Sequence, residues 1–118
     1  ISSFIDEILQ PMVKNLKSHI KNTDHFISRL NDVPQPFPSD AIMVSIDVQS
    51  LYTNIPHDLG EEAIQNFLTA RPKPASPSTK FIMTLLNFIL TMNNFKFQDQ
   101  NYLQINATAM GTRMASVY

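Results

Sequence analysis

The placement of proline constrains this chain more than any other feature. Of its eight prolines, Pro34, Pro36 and Pro38 fall in "PQPFPSD" (34–40), and Pro72, Pro74 and Pro77 in "RPKPASPS" (71–78). Proline has no N–H to donate, fixes its own φ and pushes the preceding residue out of helical space. Each stretch therefore reads as an extended connector. Regular structure is left to residues 1–33, 41–70 and 79–118.

In the first stretch Phe4, Ile5, Ile8, Leu9, Met12, Val13, Leu16 and Ile20 recur at helical spacing, and Pro11 predicts two short helices rather than one. Lys14, Lys17 and Lys21 fall near one helical face, with His19 and no acid between Pro11 and Thr23. That face is either solvated or a contact for backbone phosphate. Thr23 or Asp24 can cap a further turn carrying Phe26, Ile27 and Leu30.

The second stretch opens with "AIMVSIDV", a predicted strand with Ile42, Val44, Ile46 and Val48 on one face and Met43, Ser45 and Asp47 on the other. Asp58 and Glu61 have capping-box spacing, and a helix is predicted from about His57 to Ala70. In the third, Ser78 or Thr79 starts a helix so apolar, from Phe81 to Met92, that it should be sandwiched in a core. The runs Phe95–Phe97 and Tyr102–Ile105, around a polar turn at Asp99–Asn101, predict a β-hairpin.

With 118 residues, 43% of them hydrophobic, the chain suits one globular domain. The absence of cysteine excludes a disulfide framework and thiolate metal sites. His19, His25 and His57 lack metal-ligand spacing. The opening "ISSFIDEIL" has acids where a secretory signal has bases, and Thr84, Asn87 and Thr91 break the most apolar segment, Phe81 to Met92, so neither export nor membrane spanning is expected. A formal charge of −1 argues against strong nonspecific attraction to nucleic acid. Starting at Ile1 and ending at Tyr118, just after the apparent opening of a helix, the sequence reads as a piece of a longer protein.

Two places carry possible chemistry. Asp47, at the end of an apolar run, is either a stiffly mounted ligand for a hard divalent cation or a cap for the amides of Gln49 or Ser50. Gly111, one of only two glycines, sits among small residues in "ATAMGTRMASVY" (107–118). It permits either close approach of a ligand beside free helix N–H groups or the packing of a helix start on a strand.

Together "SIDVQSLYTNIP", "NNFKFQDQNYLQI" and "TAMGTRMA" resemble, in order and approximate spacing, the reverse transcriptase domain of Penelope-like retroelements over nearly the whole chain. The resemblance implies an α+β fold, an incomplete palm and fingers fragment with several helices around a small, mostly antiparallel sheet. Residues 1–33 would be N-terminal helices; residues 34–118 would hold palm motif A, connecting helices, the hairpin and the start of motif B. Asp47, with the Val48 carbonyl, would bind catalytic Mg²⁺, with Mn²⁺ as an alternative. Two such ions, about 3.5–4 Å apart, activate a primer 3′-oxygen and stabilise the leaving pyrophosphate. Tyr52 would lie under the incoming sugar and disfavour a 2′-hydroxyl. Ala109, Met110 and Gly111 would line the nucleotide pocket, and Arg113 would face template or phosphate, or simply solvent. The implied partners are an RNA template, a DNA primer and a dNTP, without a membrane, and the implied location is the nucleus.

The chain departs from the family pattern in having Ala107 where glycine is usual and Ala115–Ser116 where an Ala-Pro pair is usual. If position 107 needs a positive φ, alanine costs about 1–2 kcal/mol there. The family's second metal-binding motif would follow Tyr118 and its triphosphate-binding finger bases would precede Ile1, so polymerisation and tight nucleic-acid binding are not expected of these residues alone. Two other readings stand beside this one: a non-enzymatic helical interaction module with Asp47 as a loop cap, and a phosphate-binding domain built on Gly111. The polymerase reading requires Asp47 and the Gly111 loop to share a cleft.

Overall fold

The computed structural model describes residues 1–109 and 111–118. Among them are five helices, α1 (Ser2–Lys14), α2 (Thr23–Asn31), α3 (Leu51–Asn54), α4 (His57–Thr69) and α5 (Thr79–Thr91), a hairpin of β1 (Asn94–Phe97) and β2 (Gln100–Leu103), and a 3₁₀ turn at Arg113–Ser116. The fold is α+β and mostly helical.

The core lies where α1, α4 and α5 meet. Ile5 and Leu9 from α1, Ile64 and Leu68 from α4, and Ile82, Leu86 and Leu90 from α5 are buried in it. Each set follows the three-to-four-residue spacing of one helical stripe. Met114, from the 3₁₀ turn, completes the cluster with no exposed surface. Its N–H donates to Ser2 Oγ at 3.2 Å, tying residues 112 positions apart.

Local signals set several element ends. Ser78 caps α5 by accepting from the Phe81 N–H at 3.2 Å. The "RPKPASPS" connector is stapled by Arg71, whose guanidinium donates to the carbonyls of Leu68 (3.2 Å) and Pro77 (3.0 Å). Asn22, rather than Thr23 or Asp24, caps α2, its Oδ1 accepting from the His25 N–H at 2.9 Å.

Other expectations are corrected. Pro11 does not split the first helix, and α1 runs through it to Lys14. Its ring is exposed, on the side of α1 away from the core. The Asp58–Glu61 capping box does not form: Pro56 occupies the N-cap without a side-chain bond. Asp58 instead lies in the first turn, where its charge favours the helix dipole, and Glu61 accepts from Asn87 on α5 at 3.1 Å. Nor is α5 sandwiched. Its buried stripe meets α1 and α4, whereas Phe81 and Phe88 remain about half exposed.

The hairpin forms with its turn one residue earlier than expected, at Gln98 and Asp99, which both take positive φ (46° and 62°). This is the backbone that suits the twist of a two-residue hairpin. Phe95 lies opposite Tyr102 in the register, and their rings stack at 5.5 Å.

The largest correction concerns residues 41–48, which have no regular secondary structure. Among the described residues β1 and β2 pair only with each other. The segment thus has no ladder to join, and a lone strand is not stable in water. Its side chains are correspondingly open, with Ile42 83% and Ile46 87% exposed. No helix among the described residues is long and apolar enough to cross a membrane.

Candidate functional site

Asp47 lies in this irregular segment and is exposed. The stiff strand mount expected for it is therefore absent. Its carboxylate makes no capping bond to Gln49 or Ser50 among the described residues. The bend after it is held by other groups: Thr53 Oγ1 donates to the Ser50 carbonyl at 2.9 Å and Asn54 Nδ2 to the Gln49 carbonyl at 3.3 Å. Ser50, in the left-handed region (φ 52°), turns the chain into α3. Val48 is also exposed, and Tyr52, in α3, is half-buried.

The second motif meets the first through the backbone. The Thr108 N–H donates to the Tyr52 carbonyl at 2.9 Å. One residue earlier, the Ala107 carbonyl lies 2.6 Å from His57 Nε2. A carbonyl can only accept, so His57 carries its proton on Nε2. The two contacts clasp the 107–108 bend against residues 52–57. Ala107 and Thr108 are buried, and among the described residues the Thr108 hydroxyl finds no hydrogen-bond partner.

Ala107 adopts φ 70°, in the left-handed region that favours glycine. Gly111 also has a positive φ (94°), but a side chain there would meet nothing within 4 Å. Its positive φ favours glycine, and among the described residues the space beside it is open. Ala109 is half-buried; Met110 lies outside the described residues. Arg113 is exposed at the start of the four-residue 3₁₀ turn. Among the described residues this turn stands where the opening of a helix was expected after Gly111.

His57 and Tyr118 were not marked by any motif, yet both support the bend. Tyr118 Oη donates to the His57 carbonyl at 3.1 Å, and its ring lies over Gly60, leaving no room for a side chain. That explains a glycine inside α4, where it costs about 1 kcal/mol relative to alanine. Burial pushes the Tyr118 phenol from 10.0 up to about 12, with the carboxylates of Glu61 and Asp58 acting in the same direction.

The three candidate lysines do not share a helical face. Lys14 ends α1, Lys17 lies in the following turn, and Lys21 precedes the α2 cap. Lys14 and Lys21 line one groove and Lys17 another.

Among the described residues no group of three or more His, Asp or Glu is placed to hold a metal. Asp47 and the Val48 carbonyl make a sparse donor set. It suits an ion such as Mg²⁺, which takes one or two carboxylates and fills its shell with water and substrate phosphate, but it cannot hold two ions unaided. Comparisons with protein-family models, with curated proteins and with solved structures returned no match.

Proposed function

We propose that this chain carries motif A and the beginning of motif B of an RNA-directed DNA polymerase of the Penelope-like type. The observation that carries the reading is the Thr108 N–H to Tyr52 carbonyl bond. It joins two stretches, separated by 56 positions, that the resemblance assigns independently to one nucleotide site. In this reading residues 1–109 and 111–118 form part of a palm with adjoining finger elements.

Asp47 and the Val48 carbonyl would hold a Mg²⁺ ion, which supplies Lewis-acid activation of the primer 3′-oxygen and neutralises phosphate charge when bound. The chain's own residues do the rest of the work assigned to it. Tyr52, fixed by the bond from Thr108, forms an aromatic floor that excludes a 2′-hydroxyl, the group by which ribose differs from deoxyribose. The bend at Ala107–Ala109 would carry the pocket wall, with Ala109 toward the nucleotide and Arg113 toward template or phosphate. His57 positions that wall by holding the Ala107 carbonyl.

Catalysis needs a second carboxylate motif besides Asp47, so the 118-residue chain does not extend a primer with Mg²⁺ and dNTPs. Without the triphosphate-binding bases its binding of nucleotide is weak, but in a fluorescence titration with Mg²⁺ it should favour a dNTP over the matching rNTP, and Tyr52→Ala should erase the preference. Equal binding of the two nucleotides by the parent, or primer extension by the chain alone, contradicts the assignment. The exposed apolar segment 42–48 favours the second reading, an interaction module without catalysis.

A further inference from the structure

Residues 11–31 contain four bases, Lys14, Lys17, Lys21 and Arg29, against one acid, Asp24, a charge of +3. The other five bases face nine acids, a charge of −4, and the two parts give the chain's −1. The nearly neutral total thus conceals a basic segment.

The structure folds that segment around the turn between α1 and α2. The Arg29 guanidinium donates to the Lys17 carbonyl, holding α2 against the turn. The Lys21 N–H donates to His25 Nδ1 at 3.0 Å, which fixes the imidazole and places its proton on Nε2. Lys14, His19, Lys21, Asn22 and His25 line an open groove of about 620 Å³ whose lining contains no acid. On the neighbouring side, Lys17 and Arg29 border a smaller groove of about 300 Å³ whose floor is apolar, with Ile20, Leu30, Val33 and the half-exposed ring of Phe26.

We infer that the α1–α2 turn is a contact for the phosphodiester backbone of a nucleic-acid strand, with Lys14 and Lys21 meeting one phosphate region and Lys17 and Arg29 the next. Two separate pairs of bases on one turn, Lys14 with Lys21 and Lys17 with Arg29, match a polymer of phosphates better than a single anion. Lysine, a point charge on a flexible stem, attracts phosphate without reading bases. The larger groove is lined by Lys14, His19, Lys21, Asn22 and His25, with no aliphatic residue, Phe or Trp of the kind that forms the continuous apolar face of a helix lying on a membrane. Phe26 offers a stacking surface beside the second groove. The inference deepens the polymerase reading but rests on the charge of residues 11–31 and not on Asp47.

The test is the anisotropy of a labelled oligouridine titrated with the 118-residue chain, without divalent metal, over a range of salt. For the double variant Lys14→Ala/Lys21→Ala, loss of two phosphate contacts predicts a fall of about 1.4 in the slope of log K against log salt. Lys14→Arg/Lys21→Arg should retain the parent slope, and Lys73→Ala/Lys80→Ala, which removes the same charge elsewhere, should leave it unchanged. Both lysines are exposed, so an unchanged Tm accompanies the loss. Equal slopes in the two alanine pairs, competition by inorganic phosphate at the strength of the oligonucleotide, or binding to anionic vesicles in place of RNA would overturn it. Because metal is left out, failure here leaves the Asp47 site standing, and failure of that site leaves this result standing.

Discussion

Ala107 holds a buried bend at φ 70°, where an L-residue loses about 1–2 kcal/mol. Replacement by glycine relieves that strain, but costs about 0.4–1 kcal/mol in unfolded-chain entropy and about 0.8 kcal/mol for a buried methyl. Ala107→Gly should therefore stay within about 1 kcal/mol of the parent in urea denaturation. Ala107→Val, β-branched at positive φ, should lose more than that. Tyr118 makes a second prediction at this scale. Below pH 10.0 the phenol is protonated in both states; above it the unfolded chain ionises first, while the folded one keeps its proton to about 12. Stability contributed by Tyr118 is thus whole below pH 10.0 and is lost as pH rises toward 12. The difference in stability between the parent and Tyr118→Phe, followed across that window, should shrink. The strain at Ala107 was legible because the resemblance supplied glycine as the usual residue. The reason for Gly60 was not, because the ring that needs the space comes from Tyr118, 58 positions away.

Elements whose signals are local form close to where the sequence puts them. The α4 bounds and the Ser78 cap of α5 follow from periodicity and one capping side chain. The hairpin slips by one residue because the left-handed pair is Gln98–Asp99, neither of which is glycine or asparagine. The strand at 42–48 fails for a different reason. Alternation states which face a strand would bury but cannot supply the neighbour whose N–H and C=O groups complete it. The segment therefore keeps its apolar side chains in solvent, and self-association through it is the expected result. Val44, 72% exposed and without packing to lose, is the place to test this. Val44→Lys should lower the apparent mass measured by analytical ultracentrifugation at high concentration without lowering Tm; an unchanged mass would show that the segment does not drive association.

At the scale of the molecule, the radius of gyration is 18.2 Å, whereas a compact domain of this length has about 13–14 Å. The helical core of α1, α4 and α5 is closed by Met114, while the apolar 42–48 segment and the hairpin remain uncovered. The candidate site lies on the boundary between these parts, where α3 and the first turn of α4 hold the 107–108 bend. Its scaffold is set by the Thr108–Tyr52 backbone bond and the His57 side chain, and its two candidate metal ligands, Asp47 and the Val48 carbonyl, are on the uncovered side. Proximity of Asp47 to the Gly111 bend is thus the central claim. It is tested most directly by titrating Mn²⁺ into isotopically labelled chain and following paramagnetic broadening of the amide signals. The account predicts that Ile46–Val48 and the Thr108, Ala109 and Gly111 amides broaden together, and that Asp47→Asn abolishes the effect on both. Broadening centred on Asp58, Glu61 and Glu62, with both motif stretches left sharp, would contradict it.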